Sequence, residues 1–305
     1  MKVLMVTGDR NVLKRGTAAH ARMELQKKQI EALDVVYWGR GAIFSPLLTE
    51  GSYDVITAQD PFWRGLVAWV VARRLKARLN IQVHADLMGQ GFIRYALAQM
   101  VLGQADSIRA VSEKIKKQIE RMRISAPVHV LPVFIDVSKF RNLEKKRHPK
   151  FAKTILWIGR LEREKDPAQA LGVLEQARKR GADAGLIFLG SGSLEAPLRA
   201  QAKPLGGYVE FAGWQDPAPY LAMADVVLST SPHESYGASI VEALAAGVPV
   251  VSYDVGIARE AGARIASRGR LADAVVEVFQ TGARGELKIP VLSEVAWAEA
   301  WQQTL

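Results

Sequence analysis

The chain has no cysteine at all. That excludes disulfides and thiolate chemistry, whether nucleophilic or metal-binding, and fits a reducing compartment. Long hydrophobic runs are also missing. The longest, Gly65 to Ala72, is bounded by Arg64 and Arg73 and is far too short to cross a bilayer. Met1 to Val6 is too short for the apolar core of a signal peptide, so a cytoplasmic location is expected. No Walker A pattern occurs. The one glycine loop, Leu189-Gly190-Ser191-Gly192-Ser193-Leu194-Glu195, is not a dinucleotide fingerprint, because Glu195 stands at the third glycine position. Low-complexity tracts and internal repeats are absent too.

At 305 residues, two medium-sized cores are expected. The formal charge of +10 is unevenly spread. Residues 1–150 carry 26 Lys+Arg against 13 Asp+Glu, a balance of +13, and the remainder balances to −3. A basic first half attracts an anionic membrane surface, nucleic acid or a polyanionic substrate. Ile115, Ile119 and Met122 form one helical stripe ringed by Lys and Arg, which either packs inward or lies on lipid; inward packing is favoured.

Short apolar runs alternate with helical stretches. Strands are expected at Lys2–Val6, Val35–Trp38, Val55–Thr57, Ile81–His84, Ser107–Val111 and Val128–Val133. The helices between them are expected at Gly16–Leu33, Phe62–Leu79, Phe92–Leu102 and Glu113–Arg123. The charged run Glu144 to Lys150 marks a linker, after which the alternation restarts at Thr154–Ile158 and continues to Val248–Ser252. The expected domains are 1–141, a linker 142–152, 153–292, and a closing helix 293–305 carrying Trp297 and Trp301 on one face. Such alternation predicts an α/β fold of two doubly wound parallel sheets, with ligands at the strand carboxyl ends.

The most informative segment is Ser231-Pro232-His233-Glu234-Ser235-Tyr236-Gly237-Ala238, continuing to Glu242 and on through Gly247 and Pro249 to Val250. It reads as strand, turn, helix, turn, strand. A helix N-terminus favours phosphate, whereas Glu234 and Glu242 would repel phosphate and instead accept hydrogen bonds from vicinal hydroxyls. Phosphate and polyol together suggest a sugar nucleotide.

This segment resembles the signature of the retaining glycosyltransferases of family four, which have the GT-B fold: Glu, seven residues, Glu, an aromatic-Gly pair, and a Glu-Ala-x-Ala-x-Gly-x-Pro-Val ending. Gly159-Arg160-Leu161, then Glu164-Lys165, resembles the family's diphosphate-binding motif, with Asp166 where the family usually has Gly. The resemblance implies Arg160 and Lys165 on the diphosphate, Glu234 on the sugar hydroxyls and Glu242 on the ribose. Backbone N–H groups around Tyr236, Gly237 and Ala238 would help to hold the donor. It also implies a sugar-contacting histidine at His84 and a donor loop at Gly16, where Gly16-Thr17 replaces the usual Gly-Gly. Pro132 to Asp136 resembles the family's Pro-Asn-Gly-Ile/Val-Asp with the Asn-Gly lost, and the loop after Gly256 is shorter than usual.

The implied activity is metal-independent transfer of a hexose-type sugar from a UDP- or GDP-linked donor, with retention. That donor is a co-substrate, and no resident cofactor is expected. The acceptor is expected to be anionic, lipid-linked or a cell-envelope glycan, with contact at the inner membrane face through the basic half; nucleic acid is not expected. A hydrolase or phosphorylase on the same scaffold, and a non-catalytic nucleotide-sugar or polyanion binder, remain as alternatives.

Overall fold

Strand β1 (Lys2–Thr7) is buried at every position after the first, the mark of a parallel strand covered on both faces. A computed structural model describes residues 1–39 and 50–305; the part of the expected first domain at 40–49 lies outside the described residues. After β1 come α1 (Ala18–Lys27), β2 (Ala32–Tyr37), β3 (Val55–Ala58), α2 (Trp63–Leu75), β4 (Arg78–Val83), α3 (Phe92–Leu102), β5 (Ser107–Ala110), α4 (Glu113–Arg121) and β6 (Val128–Val130). The six strands form one parallel sheet in the order β2-β1-β3-β4-β5-β6.

Two helices end earlier than the sequence pattern suggests. The first begins at Ala18, capped by the Thr17 hydroxyl, which accepts from the His20 N–H at 3.2 Å, and it stops at Lys27. Leu33, expected in that helix, belongs to β2. The second stops at Leu75 because Lys76 turns left-handed at φ 54°, its N–H bonding back to the Ala72 carbonyl. That turn frees Arg78-Leu79-Asn80 to begin β4. The α4 stripe packs inward, with Ile115, Ile119 and Met122 all buried.

The second sheet is built from β7 (Lys153–Ile158), α5 (Pro167–Lys179), β8 (Ala184–Leu189), α6 (Glu195–Ala202), β9 (Val209–Gly213), α7 (Pro217–Met223), β10 (Val226–Ser229), α8 (Ala238–Ala245), β11 (Val250–Ser252), α9 (Ala258–Ala261), β12 (Arg264–Ile265) and α10 (Leu271–Thr281). Its strand order is β12-β11-β10-β7-β8-β9, and every pairing is parallel. Trp157, Phe188, Leu174 and Val275 are among the residues of its core.

The chain divides into two compact units, 1–134 with 292–305, and 135–291. The break therefore precedes the charged stretch 142–152, which packs within the second unit. There Lys145 Nζ donates to the Ala224 carbonyl and Lys150 Nζ to Glu210 at 3.0 Å. The closing helix α11 (Glu294–Gln303) belongs to the first unit. Trp297 and Trp301 join Val3, Met5, Leu33 and Val55 in its core. The Trp297 indole N–H donates to the Pro132 carbonyl at 2.8 Å, and Asn80 Nδ2 donates to the Thr304 carbonyl at 2.8 Å. Among the described residues, no helix is long and apolar enough to cross a membrane.

Trp301 is wholly buried, so Trp301→Ala is expected to cost about 3–5 kcal/mol. The measurement is urea unfolding of the full chain. An unchanged first midpoint would mean that α11 adds nothing to the stability of the first unit.

Candidate active site

In a parallel sheet, ligand crevices open at the carboxyl ends of strands where the strand order reverses. In the second unit that point lies between β7 and β10: the chain runs outward from β7 through β8 to β9, then returns to β10 on the other side of β7. The loop after β7 carries Arg160 and Lys165, and the loop after β10 carries Glu234.

Thr230 ties the two loops together. Its hydroxyl accepts from the Trp157 indole N–H at 2.9 Å and reaches the carbonyl oxygens of Lys165 (3.1 Å) and Asp166 (2.8 Å). The glycine loop after β8 supports them from the other side. A Cβ at Gly190 would overlap the Gly159 carbonyl oxygen, and one at Gly192 would overlap that of Leu161. The Leu161 N–H donates to the Ser191 carbonyl at 2.9 Å. These glycines are thus required for close backbone approach. Ser193 donates through its backbone N–H (2.8 Å) and its hydroxyl (2.5 Å) to the Glu162 carboxylate, whose pKa those bonds lower.

Lys165 Nζ pairs with Glu234 Oε1, and both side chains are largely withdrawn from solvent. Arg160 lies on the same loop but pairs with Glu164 at 2.9 Å, both side chains exposed; such a surface pair contributes little stability. Asp166, where the resembled motif has Gly, makes a turn of the kind that glycine favours. It adopts φ 45° and ψ 53°, a left-handed conformation that Asp tolerates, and its Oδ2 accepts from Arg268 at 2.8 Å.

The sharp turn expected at Gly237 is present, at φ 103°, and it caps α8. Tyr236 is buried, while Ala238 is exposed at the start of that helix. A Cβ at Gly256 would overlap the Tyr236 carbonyl oxygen, and that carbonyl accepts from the Ile257 N–H at 3.0 Å. The loop after β11 therefore rests directly on the Glu234 segment. Glu242, half-buried on α8, has its carboxyl raised to about 7, mainly by burial; Lys139 opposes the shift and Asp216 adds to it. Between the ordinary carboxylate range and about 7, the folded chain holds a proton there that the unfolded chain has lost. Stability contributed at this position therefore falls as pH rises through that window.

Gly16 and His84 belong to the first unit. Gly16, at φ 82°, is exposed just ahead of α1. His84 follows β4, and its Nε2 is buried with no hydrogen-bond partner among the described residues. Burial, then Arg109 and Arg22, lower its pKa to about 3, so the ring is neutral at physiological pH. Arg109 is buried on β5. Its donors go to the Leu131 carbonyl (3.0 Å), Gln82 (2.7 Å) and the Pro132 carbonyl (2.8 Å), and its guanidinium lies over the Trp297 ring.

The structure thus joins Lys165 to Glu234 and sets Arg160, Tyr236, Gly237 and Ala238 on the same pair of loops, with Glu242 further along α8. Sequence reasoning missed Trp157 and Thr230, which position those loops, and Arg22 and Arg109 around His84; it singled out Gly256 but not its contact with Tyr236. A Gly beside a trimmed loop was the one available signal; the others act through contacts that only the folded sheet creates.

Residues 152–281 match the family model for glycosyl transferases group 1, and residues 32–139 match that for glycosyltransferase family 4. The alpha-monoglucosyldiacylglycerol synthase of Streptococcus pneumoniae is 26% identical over 228 residues, covering 66% of this chain and 52% of that protein. A GDP-mannose-dependent alpha-(1-6)-phosphatidylinositol dimannoside mannosyltransferase of Mycobacterium tuberculosis is 30% identical over 197 residues, covering 61% and 51%. The chain spans about half the length of these curated relatives. Among solved structures, HepE of Anabaena, in complex with UDP, superposes with a TM-score of 0.73 at 20% identity, covering 100% of this chain and 96% of that one. Sucrose-phosphate synthase of Thermosynechococcus elongatus gives 0.72 at 16%, covering 100% and 95%. The fold is that of the GT-B enzymes. With a matching model over each half, the chain belongs to the group 1 glycosyltransferases of family four.

Proposed function

We propose that the protein transfers a hexose-type sugar, with retention, from a nucleoside diphosphate sugar to a lipid-linked or cell-envelope glycan acceptor. The observation that carries this reading is the Lys165–Glu234 pair at the β7/β10 reversal. It holds a cation and a polyol-reading acid side by side in the free protein.

In the reaction, the acceptor hydroxyl oxygen bonds to the anomeric carbon as the bond from that carbon to the diphosphate oxygen breaks. The electron pair leaves with the nucleoside diphosphate, and the hydroxyl proton passes to the departing phosphate oxygen. Lys165 and Arg160 would offset the growing negative charge, Arg160 by exchanging Glu164 for phosphate. Glu234 would accept from sugar hydroxyls and Glu242 from the ribose diol, while His84, neutral, can accept or donate a hydrogen bond to the sugar. The names of the relatives support that acceptor class: one is an alpha-monoglucosyldiacylglycerol synthase and another a phosphatidylinositol dimannoside mannosyltransferase. The UDP and GDP in the names of the relatives support both bases equally.

Incubation with UDP- and GDP-sugars, with and without membrane lipid extract, is expected to release nucleotide only when acceptor is present. Free sugar without acceptor would favour a hydrolase, and binding without turnover would favour a non-catalytic role. Lys165→Ala and Arg160→Ala are each expected to lower kcat/KM by roughly 10²–10³.

A second outcome concerns pH. If Glu242 reads the ribose diol as a carboxylate, donor binding must remove its proton below about 7. Affinity for the intact sugar nucleotide, whose esterified diphosphate does not titrate near neutrality, should rise with pH and level off above about 7. Calorimetry at pH 6 should detect proton release, and Glu242→Gln should flatten the profile. A flat wild-type profile would remove Glu242 from the ribose.

A further inference from the structure

The second unit has a cavity of about 330 Å³ at the edge of its sheet where β7, β10 and β11 begin, opposite the loops of Arg160 and Glu234. That volume is at the lower end for small-molecule sites and suits a compact ligand rather than a whole sugar nucleotide. The length of β7 puts about 17 Å between this edge and the loop of Arg160, so the two places are separate. Three cations line the cavity, Lys145, Lys153 and Arg284, against one acid, Asp225, a formal balance of +2. Leu143, Pro249 and Phe279, all half-buried, give it apolar walls.

Main-chain contacts fix the segments that carry these cations. The Lys146 N–H donates to the Ala222 carbonyl at 2.9 Å, which holds the segment of Lys145 against α7. On the other side, Gly282 ends α10 in a left-handed turn at φ 61°. The Gly285 N–H donates to the Gly247 carbonyl at 3.0 Å, and a Cβ at Gly285 would overlap the Val248 carbonyl oxygen. Arg284 is thus held between two glycines that the backbone requires. The positive charge, by contrast, is poorly met. Lys145 and Lys153 share Asp225 Oδ1 at 3.7 and 3.8 Å, longer than a hydrogen bond, while Asp225 Oδ2 accepts from the Thr154 N–H at 2.8 Å. Lys145 donates to the Ala224 carbonyl. Among the described residues, the Lys153 ammonium has no hydrogen bond, and the exposed Arg284 has neither hydrogen bond nor ion pair.

We propose that this cavity is a second ligand site, separate from the donor crevice, for a small phosphate monoester with an apolar or ring-bearing body. A phosphate monoester carries about two negative charges near neutral pH. That matches the balance of the lining, whereas a carboxylate leaves one cation unmet. Its three oxygens can accept from the two ammonium groups and the guanidinium together, which single-charge ligands cannot do as fully. The body of the ligand would rest on the Phe279 ring, which already has Lys153 above it at 6.0 Å, and between Leu143 and Pro249. Because the glycine and linker contacts hold the cations in place beforehand, little ordering is left for the ligand to bring about.

The test is calorimetric titration of the full chain with phenyl phosphate, benzoate and inorganic phosphate in turn. Phenyl phosphate is expected to bind tightest, by roughly fivefold or more over each, since benzoate lacks one charge and inorganic phosphate lacks the ring. Arg284→Glu should weaken it by roughly tenfold and Lys145→Ala by roughly fivefold. Arg284 is exposed, so an unchanged urea midpoint should accompany its loss of binding. Lys165→Ala, and saturation with UDP or GDP, should leave phenyl phosphate binding unchanged. No saturable binding of phenyl phosphate, or equal affinity for the three probes, would overturn the proposal. So would displacement by UDP or GDP, or binding that neither Arg284→Glu nor Lys145→Ala alters. The titration involves no sugar transfer, so failure of the glycosyl-transfer assay leaves its result standing.

Discussion

The reversal of strand order between β7 and β10 is the constraint on which the second unit depends. Parallel strands aim their carboxyl ends the same way, so the loops that leave these two neighbours must share one edge. Residues distant in sequence, Lys165 and Glu234, become partners there. Sharing an edge does not fix the loops; buried hydrogen bonds do. Thr230, at the end of β10, accepts from the Trp157 indole and binds two carbonyls of the opposite loop. Leaving those buried groups unpaired would cost more than the bonds add when made, which is why one hydroxyl can determine where the Lys165 ammonium sits.

The two units handle buried charge in opposite ways. In the second, the cation meets an acid directly, and Glu242 is held partly protonated, chiefly by burial. In the first, Arg109 is buried against carbonyls, a side-chain amide and an aromatic face, with no carboxylate bonded to it among the described residues, and its charge reaches His84. A buried cation satisfied by neutral acceptors keeps its field. Burial first, and that field in addition, keep His84 neutral. The basic excess of the first half is thus partly internal as well as a surface property.

Much of this was legible in the sequence where local pattern and tertiary demand coincide. Helix α3 occupies the residues its pattern indicates, Phe92–Leu102, because a glycine precedes it and another follows. The glutamate motif was legible because a left-handed turn, a helix and a closing glycine each leave a residue-level mark. The ends of α1 and α2 were not. The apolar spacing runs on through Leu33 and Leu79, and the actual stop at α2 is a left-handed lysine, which carries no composition signal. Asp166 left no such mark either: it holds φ 45°, a conformation more usual for glycine, with Arg268 bonding its carboxylate. Thr230 and Trp157 were invisible, since a threonine after a strand means nothing until the neighbouring strand is known.

The loop after β11 braces the glutamate segment within a few residues. A long glycine-rich loop brings several N–H groups to a ligand, but its ordering costs conformational entropy that rises with each residue fixed. Here Gly256, at φ 50°, lets the chain turn against the Tyr236 carbonyl, and Ile257 bonds that oxygen within the same few residues. The Tyr236 carbonyl is thereby occupied and its peptide fixed, so the segment carrying Glu234 is braced on both sides, by Lys165 from the β7 loop and by Ile257 from the β11 loop. Any residue with a Cβ at 256 would push this brace away from the acid.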